Sequence, residues 1–384
     1  MSPPLVRIGE VARVKSGFAF SSKDWTDSGV PVVKIANVKD GSLDMSGCSY
    51  VSDEVAASGA AYRLRRGDIL IAMTGYVGEV ALVRTDTQLL LNQRVGRFTI
   101  NESKVDPGYF FQLVHANGFK VAAQSLGYGS AQPNVSPTLL ESIVIPLPPL
   151  AEQRGIAVTL GALDDKIESN RRIVDLAPRL MQALVTQGLE REPTAVAVAD
   201  LARFVNGGAY TKGASGVGRM VVRIAELNSG PGASTVYSEI GVPDEETARA
   251  GDLLMSWSGS LGVYRWVLDE AIINQHIFKV LPSDGYPPWL VYDRLARVMP
   301  QFQGIAKDKA TTMGHIQRGH LESTVVAVPN SSAIAALDQK LSSLWDRLLL
   351  AERENVKLSQ LRMALLPELL SGRIRVSEAH EAVG

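Results

Sequence analysis

The string Gly208-Ala209-Tyr210-Thr211-Lys212-Gly213-Ala214-Ser215 has the glycine spacing of a loop that wraps nucleotide phosphates. Such a loop needs a lysine directly before its hydroxyl residue, and Ala214 stands there. Tyr286-Pro287-Pro288-Trp289 has the two prolines and aromatic ring that hold an exocyclic amine for methyl transfer, but no polar first residue to accept the amine's hydrogens. It reads instead as a proline-started helix running from Leu290 to Met299. No glycine-rich turn with a downstream acid is present to hold S-adenosylmethionine. His115, His276, His315, His320 and His380 lack the spacing of a metal site. Asp164-Asp165-Lys166 offers the acids and lysine of a nuclease, yet it falls inside a helical pattern whose solvated face would carry such charges. Cys48, the single cysteine, can form neither an internal disulfide nor a thiolate metal cluster and reads as an ordinary half-buried thiol. These strings argue against a self-contained active site.

The elements that position these residues are written twice. Ile8-Gly9-Glu10-Val11-Ala12-Arg13 returns as Val198-Ala199-Asp200-Leu201-Ala202-Arg203, and Val33-Lys34-Ile35-Ala36 as Val222-Arg223-Ile224-Ala225. Arg66-Gly67-Asp68-Ile69-Leu70, followed by Thr74-Gly75 and Gly78, returns as Ala250-Gly251-Asp252-Leu253-Leu254, followed by Ser258-Gly259 and Gly262. Leu91-Asn92-Gln93 matches Ile273-Asn274-Gln275, and Leu140-Glu141-Ser142 with Pro148 matches Leu321-Glu322-Ser323 with Pro329. The matches keep their order, as a duplication requires. Within 1–149 and 191–329, short β-branched runs alternate with glycine and proline turns, and helical stretches lie near 107–124 and 287–304. Gly17, Gly67, Gly75 and Gly207 read as turn glycines. The expected fold is mixed α/β (α+β), with two tandem globules, each followed by a long helix.

Beyond each globule the pattern turns helical, over 150–190 and 330–376, leaving a tail at 377–384. Leu160, Leu163, Ile167, Asn170, Val174, Ala177, Met181 and Leu184 step alternately by three and four residues. Leu341, Leu344, Leu348, Ala351, Asn355, Leu358, Arg362 and Leu365 do the same. These heptad seams predict an antiparallel coiled coil, with Asn170 and Asn355 fixing its register and a kink at Pro178. Leu348-Leu349-Leu350 is expected to expose an apolar face and make the chain depend on partners.

In a chain of 384 residues with 39 Lys+Arg against 40 Asp+Glu, the net charge of −1 provides no overall attraction for phosphate, so nucleic-acid binding would rest on local patches. The N-terminus lacks a basic segment leading into an apolar one, and no run approaches the roughly 20 apolar residues of a membrane span. A cytoplasmic protein without membrane contact is expected.

Two further strings carry a family resemblance. Gly129-Ser130-Ala131-Gln132-Pro133-Asn134-Val135-Ser136, continued by Ile143-Val144-Ile145-Pro146-Leu147-Pro148-Pro149-Leu150-Ala151-Glu152-Gln153, looks like the junction between a recognition domain and its helix in specificity subunits of type I restriction-modification systems. Leu365-Leu366-Pro367-Glu368-Leu369-Leu370-Ser371-Gly372-Arg373-Ile374 is similar to that family's C-terminal ending. The second junction, Lys309-Ala310-Thr311-Thr312-Met313-Gly314-His315-Ile316, lacks the Gln-Pro-Asn of the first. The resemblance implies a non-catalytic subunit whose two target-recognition domains read double-stranded DNA. It also implies docking to two methyltransferase subunits and to endonuclease/translocase subunits. S-adenosylmethionine, ATP and Mg would be bound by those partners and none by this chain.

Reading base edges calls for bidentate side chains beside phosphate-binding groups. The first half offers Asn92, Gln93 and Arg94 with Tyr128, Ser130, Gln132 and Asn134, supported by Lys23, Lys34, Arg65 and Arg66. The second offers Asn274, Gln275, His276, Thr311 and Thr312, supported by Lys212, Arg223, Lys307 and Lys309. Because Asn92-Gln93 recurs as Asn274-Gln275, the pair also suits a framework role. Two non-identical domains on a seam of roughly 40 Å imply a split, asymmetric target with half-sites about one DNA turn apart. Two other assignments share these features: the DNA-reading subunit of a modification-only or other phage-defence complex, and a scaffold whose globules bind proteins.

Overall fold

The computed structural model describes residues 3–127, 133–190, 192–308 and 314–376. They fold as two units, one formed by the described residues up to Asp165 together with those from Gln360 onward, the other by Lys166–Ser359. The boundary therefore cuts through both long helices instead of falling at the ends of the globules.

In the first unit the β-branched runs build two larger sheets beside two-stranded pairs, among them Val38–Lys39 with Ser42–Leu43. Val80–Leu82, Ile69–Ala72, Val95–Ile100 and Ala12–Ser16 form an antiparallel sheet in that spatial order. The other sheet runs Trp25–Thr26, Ser49–Val51, Val30–Val33, Leu89–Leu91, Arg63–Leu64, with Val30–Val33 and Leu89–Leu91 parallel. Strands with no polar alternation, Ile69–Ala72 and Leu89–Leu91, are buried along their whole length. Leu5–Arg7 pairs with Val144–Pro146, so the globule's first strand clasps its last. The expected helix at 107–124 is two helices, Pro107–His115 and Asn117–Ser125, because Ala116 is extended (φ −67°, ψ 143°).

The second unit repeats the order. Ala202–Asn206, Ile277–Pro282, Leu253–Ser256 and Gly262–Arg265 form one sheet. Val236–Ser238, Arg219–Val222, Ala271–Ile273 and Thr247–Ala248 form the other, again with one parallel pair, Arg219–Val222 with Ala271–Ile273. Thr194–Ala197 and Val325–Val328 make the clasp. Trp289 donates from Nε1 to Asp338 Oδ1 (2.7 Å) and is buried in a core with Val185, Leu341, Trp345 and Leu348, which gives the Pro-Pro-Trp string a packing role.

The duplicated Gly-Asp string has a physical cause. Gly67 (φ 93°) and Gly251 (φ 102°) turn the chain in the left-handed region. The aspartate that follows accepts from a backbone N–H three residues back, Arg65 to Asp68 (2.8 Å) and Arg249 to Asp252 (2.7 Å). Each aspartate also meets a cation from the central strand, Arg97 at 3.3 Å and Lys279 at 2.8 Å. These cations donate in turn to the Arg63 and Thr247 carbonyls.

The helices Leu150–Gly188 and Ser331–Ser371 each run on through an interior proline, Pro178 and Pro367. Within each unit the two helical segments are antiparallel. In the first, Gly155 faces Val376 and Asp164 faces Arg362; in the second, Asn170 faces Glu354 and Gly188 faces Leu337. Leu160, Leu163, Ile167, Leu341 and Leu348 are buried, while Val174, Leu344, Asn355 and Leu358 are half-buried. Two expectations are corrected. Leu348 is a core residue and Leu349 packs against that core, because the helix turns both inward; of the three leucines, Leu350 alone is exposed. Asp164 is not on a solvated face: with 10% of its side chain exposed it accepts from Arg362 Nε and from Gln112 Nε2, both at 2.6 Å.

Asn170 is fully buried, donating to Glu354 Oε2 (2.8 Å) and accepting from Arg347 (3.3 Å), whereas Asn355 leaves Oδ1 buried with no donor among the described residues. Asn170→Leu should therefore lower stability by about 1–3 kcal/mol, and Asn355→Leu should hold or raise it. Thermal melts of the two variants check the ordering, and equal losses would contradict it. At Gly17 and Gly207 a β-carbon would lie 2.3 Å from the Leu91 and Ile273 carbonyl oxygens. Alanine at either position should cost about 1–3 kcal/mol by overpacking, while Gly232→Ala, in open space, leaves the melting temperature unchanged.

Candidate nucleic-acid interface

Backbone hydrogen bonds bring separated segments together at one edge of each globule. In the first unit, Phe18 N donates to Leu91 O (2.8 Å), Gln93 N to Phe18 O (2.8 Å) and Asn92 N to Val33 O (3.1 Å). The 92–94 turn is thereby fixed between the Gly17-Phe18 segment and the Val30–Val33 strand. From Arg94 the contacts continue outward: Met73 N donates to Arg94 O (3.1 Å), Val135 N to Met73 O (2.9 Å) and Gly75 N to Pro133 O (3.1 Å). Thr74 Oγ1 donates to Asn134 Oδ1 at 2.8 Å.

The second unit builds the same cradle independently. Gly208 N donates to Ile273 O (3.1 Å), Asn274 N to Val222 O (3.1 Å) and Trp257 N to His276 O (3.2 Å). Ile316 N then donates to Trp257 O (3.0 Å) and Gly259 N to Gly314 O (2.9 Å). Met73, Arg94 and Asn134 thus correspond to Trp257, His276 and His315. The amides of Gly207 and Gly208 are committed to the Ile277 and Ile273 carbonyls, so the nucleotide-loop spacing at 208–215 serves sheet assembly.

The cradles sort the sequence candidates. Asn92 and Asn274 belong to the framework: Asn92 bridges to Phe18 and Asn274 to Gly208, and Asn274 is buried with Oδ1 unpaired among the described residues. Gln93, Arg94, Asn134 and Gln275 are exposed on the cradle, and His276 is half-buried beside Trp257, ring centroids 5.4 Å apart. Lys34 is taken up locally, donating to Ser49 Oγ (2.7 Å) with its ammonium 3.8 Å from the centre of the Trp25 ring. Arg223 is held by Glu226 (2.6 Å), and Arg66 donates to the Arg84 carbonyl (2.8 Å) with Asp86 at 3.6 Å. Lys23, Arg65, Lys212 and Lys307 are exposed, and none is in an ion pair among the described residues. Tyr128, Ser130, Gln132, Lys309, Thr311 and Thr312 lie outside the described residues.

Sequence reasoning missed Trp257, Tyr76 and His315. Trp257 Nε1 donates to Asn206 Oδ1 (2.9 Å), and its ring lies 6.4 Å from that of His315; Tyr76 is 59% exposed beside Gly75. The repeated Thr74-Gly75 and Ser258-Gly259 pointed to this segment, but only as turn glycines.

Gln153 anchors the junction. Buried at the start of the long helix, it accepts from Asp106 N (2.8 Å) and donates to the Pro148 (2.7 Å) and Lys104 (3.3 Å) carbonyls. It ties the helix start to the N-cap of Pro107–His115.

Comparisons with known proteins agree with this architecture. Residues 5–176 match the type I restriction modification DNA specificity domain. The specificity subunit of type I restriction enzyme MjaVIII of Methanocaldococcus jannaschii is 30% identical over 191 residues, 47% of this chain, and the match spans 45% of that relative's length. The specificity subunit of type I restriction enzyme MjaIX of the same organism is 22% identical over 82% of this chain and 79% of its own. In fold, the crystal structure of the type I restriction-modification S subunit from M. genitalium covers 96% of this chain and 99% of its own, with a TM-score of 0.65 at 13% identity. Residues 5–176 thus resemble a type I restriction modification DNA specificity domain, and the chain spans about half the length of the first of these relatives.

Proposed function

We propose that this chain is the DNA-reading subunit of a type I restriction-modification enzyme, recognising a two-part asymmetric target with one half-site per domain. The observation that carries this reading is the duplicated cradle: one backbone framework, built twice, presents Gln93 and Arg94 in one domain and Gln275 and His276 in the other. Side chains of this kind on a rigid turn suit base edges in the major groove. Because the two sets differ, the two half-sites differ.

Catalysis is assigned to partners. Two methyltransferase subunits would bring S-adenosylmethionine chemistry to adenine, and endonuclease/translocase subunits would bring ATP- and Mg-dependent cleavage. A near-neutral chain suits such an assembly, since phosphate contacts can come from the partners as well as from Lys23, Arg65, Lys212 and Lys307.

Methylome sequencing of a host expressing this chain with its neighbouring methyltransferase, against one lacking this chain alone, tests the proposal. Methyladenine at a two-part asymmetric motif should disappear on deletion. Unchanged methylation beside an active methyltransferase would contradict DNA reading and favour a protein scaffold.

A further inference from the structure

Both cradles use equivalent backbone hydrogen bonds, so a difference in what they recognise must come from side chains. The framework positions match in chemistry between the halves: Gly17 with Gly207, Asp68 with Asp252, Asn92 with Asn274, and the cations Arg97 and Lys279. Gln93 and Gln275, exposed on the turn, are also the same. Divergence appears one residue further, where Arg94 faces solvent in the first domain and His276 stands in the second, and again where Asn134 is replaced by His315.

The Arg94 backbone is held from both sides, its carbonyl by Met73 N and its N–H by Asn92 Oδ1 at 3.4 Å. Among the described residues its guanidinium meets no acceptor, unlike Arg66 and Arg223. A preorganised backbone carrying an uncommitted planar donor fork is what a pair of base-edge acceptors requires. Asn134 Oδ1 is occupied by the Thr74 hydroxyl, which leaves its amide donors. His276 has Nδ1 buried without a partner among the described residues and Nε2 3.3 Å from Gln275 Nε2, so it cannot offer the same fork.

We propose that the pairs Arg94/Asn134 and His276/His315 give the two half-sites their different base sequences, Arg94 by donating to O6 and N7 of a guanine. This rests on the reading that both domains bind DNA. In the major groove guanine presents two acceptors side by side, which adenine does not. The shared Gln93 and Gln275 then face whatever the half-sites have in common.

The test uses the chain in complex with its methyltransferase subunits, methylating a randomised duplex library, with Arg94→Gln and His276→Arg as separate variants. Arg94→Gln should cut the preference for guanine at one base pair of the first half-site by about ten- to a hundredfold and leave the second unchanged. His276→Arg should alter the second half-site alone. An unchanged motif in both variants overturns the proposal. So does a uniform fall in methylation across all sequences, with the salt slope reduced by about one, which marks a phosphate contact. Loss of all methylation by both variants at unchanged melting temperature also overturns it. If the unaltered chain directs no motif, the DNA-reading function itself fails instead.

Discussion

At Gly17 and Gly207 the chain passes beneath a turn so closely that a β-carbon would lie 2.3 Å from a carbonyl oxygen. The absence of that carbon lets the neighbouring residues, Phe18 and Gly208, hydrogen-bond to Leu91 and Ile273. It also sets the Asn-Gln turn at the edge of the sheets. Met73 and Trp257 then reach the carbonyls of Arg94 and His276, and the 133–135 and 314–316 segments close over them. Larger residues at the two glycines would push the turn outward and the rest of each cradle with it.

The same economy of framework governs the connection to the helices. The clasp of first strand on last closes each globule on itself and delivers the chain to a helix start. Gln153 fixes that start in the first unit through hydrogen bonds to Asp106, Lys104 and Pro148, and Trp289 with Asp338 fixes the second globule to its helix. Buried polar contacts of this sort contribute little net energy but are costly to break, so they specify how the helices seat. Arg362 does the same at the far end of the terminal helix, with 12% of its side chain exposed, bonded to Asp164 and Gln112.

Much of this was legible in the sequence, because a duplication is visible wherever backbone geometry restricts the choice of residue. Gly67-Asp68 and Gly251-Asp252 stand out since a left-handed turn followed by a bonded aspartate leaves few alternatives. Asn92 hinted at its framework role by recurring as Asn274. What could not be read was three-dimensional partnership. Lys34 and Arg223 look like phosphate ligands until Trp25 and Glu226 are seen beside them. Asp164 looks solvated until Arg362, 198 residues away, packs onto it. Trp257 and His315 have no repeat partner of their own type, so the paired backbone, not residue type, shows that they occupy the places of Met73 and Asn134.

Hydrogen–deuterium exchange on the chain in the presence of the proposed methyltransferase subunits, with and without a duplex carrying the proposed two-part target, tests the central claim most directly. The account predicts added protection at 73–76, 92–94 and 133–135 together with 257–260, 274–276 and 314–316, and at only one of these sets when the duplex carries a single half-site. Protection appearing elsewhere on the globules, with both cradles unchanged, would contradict it.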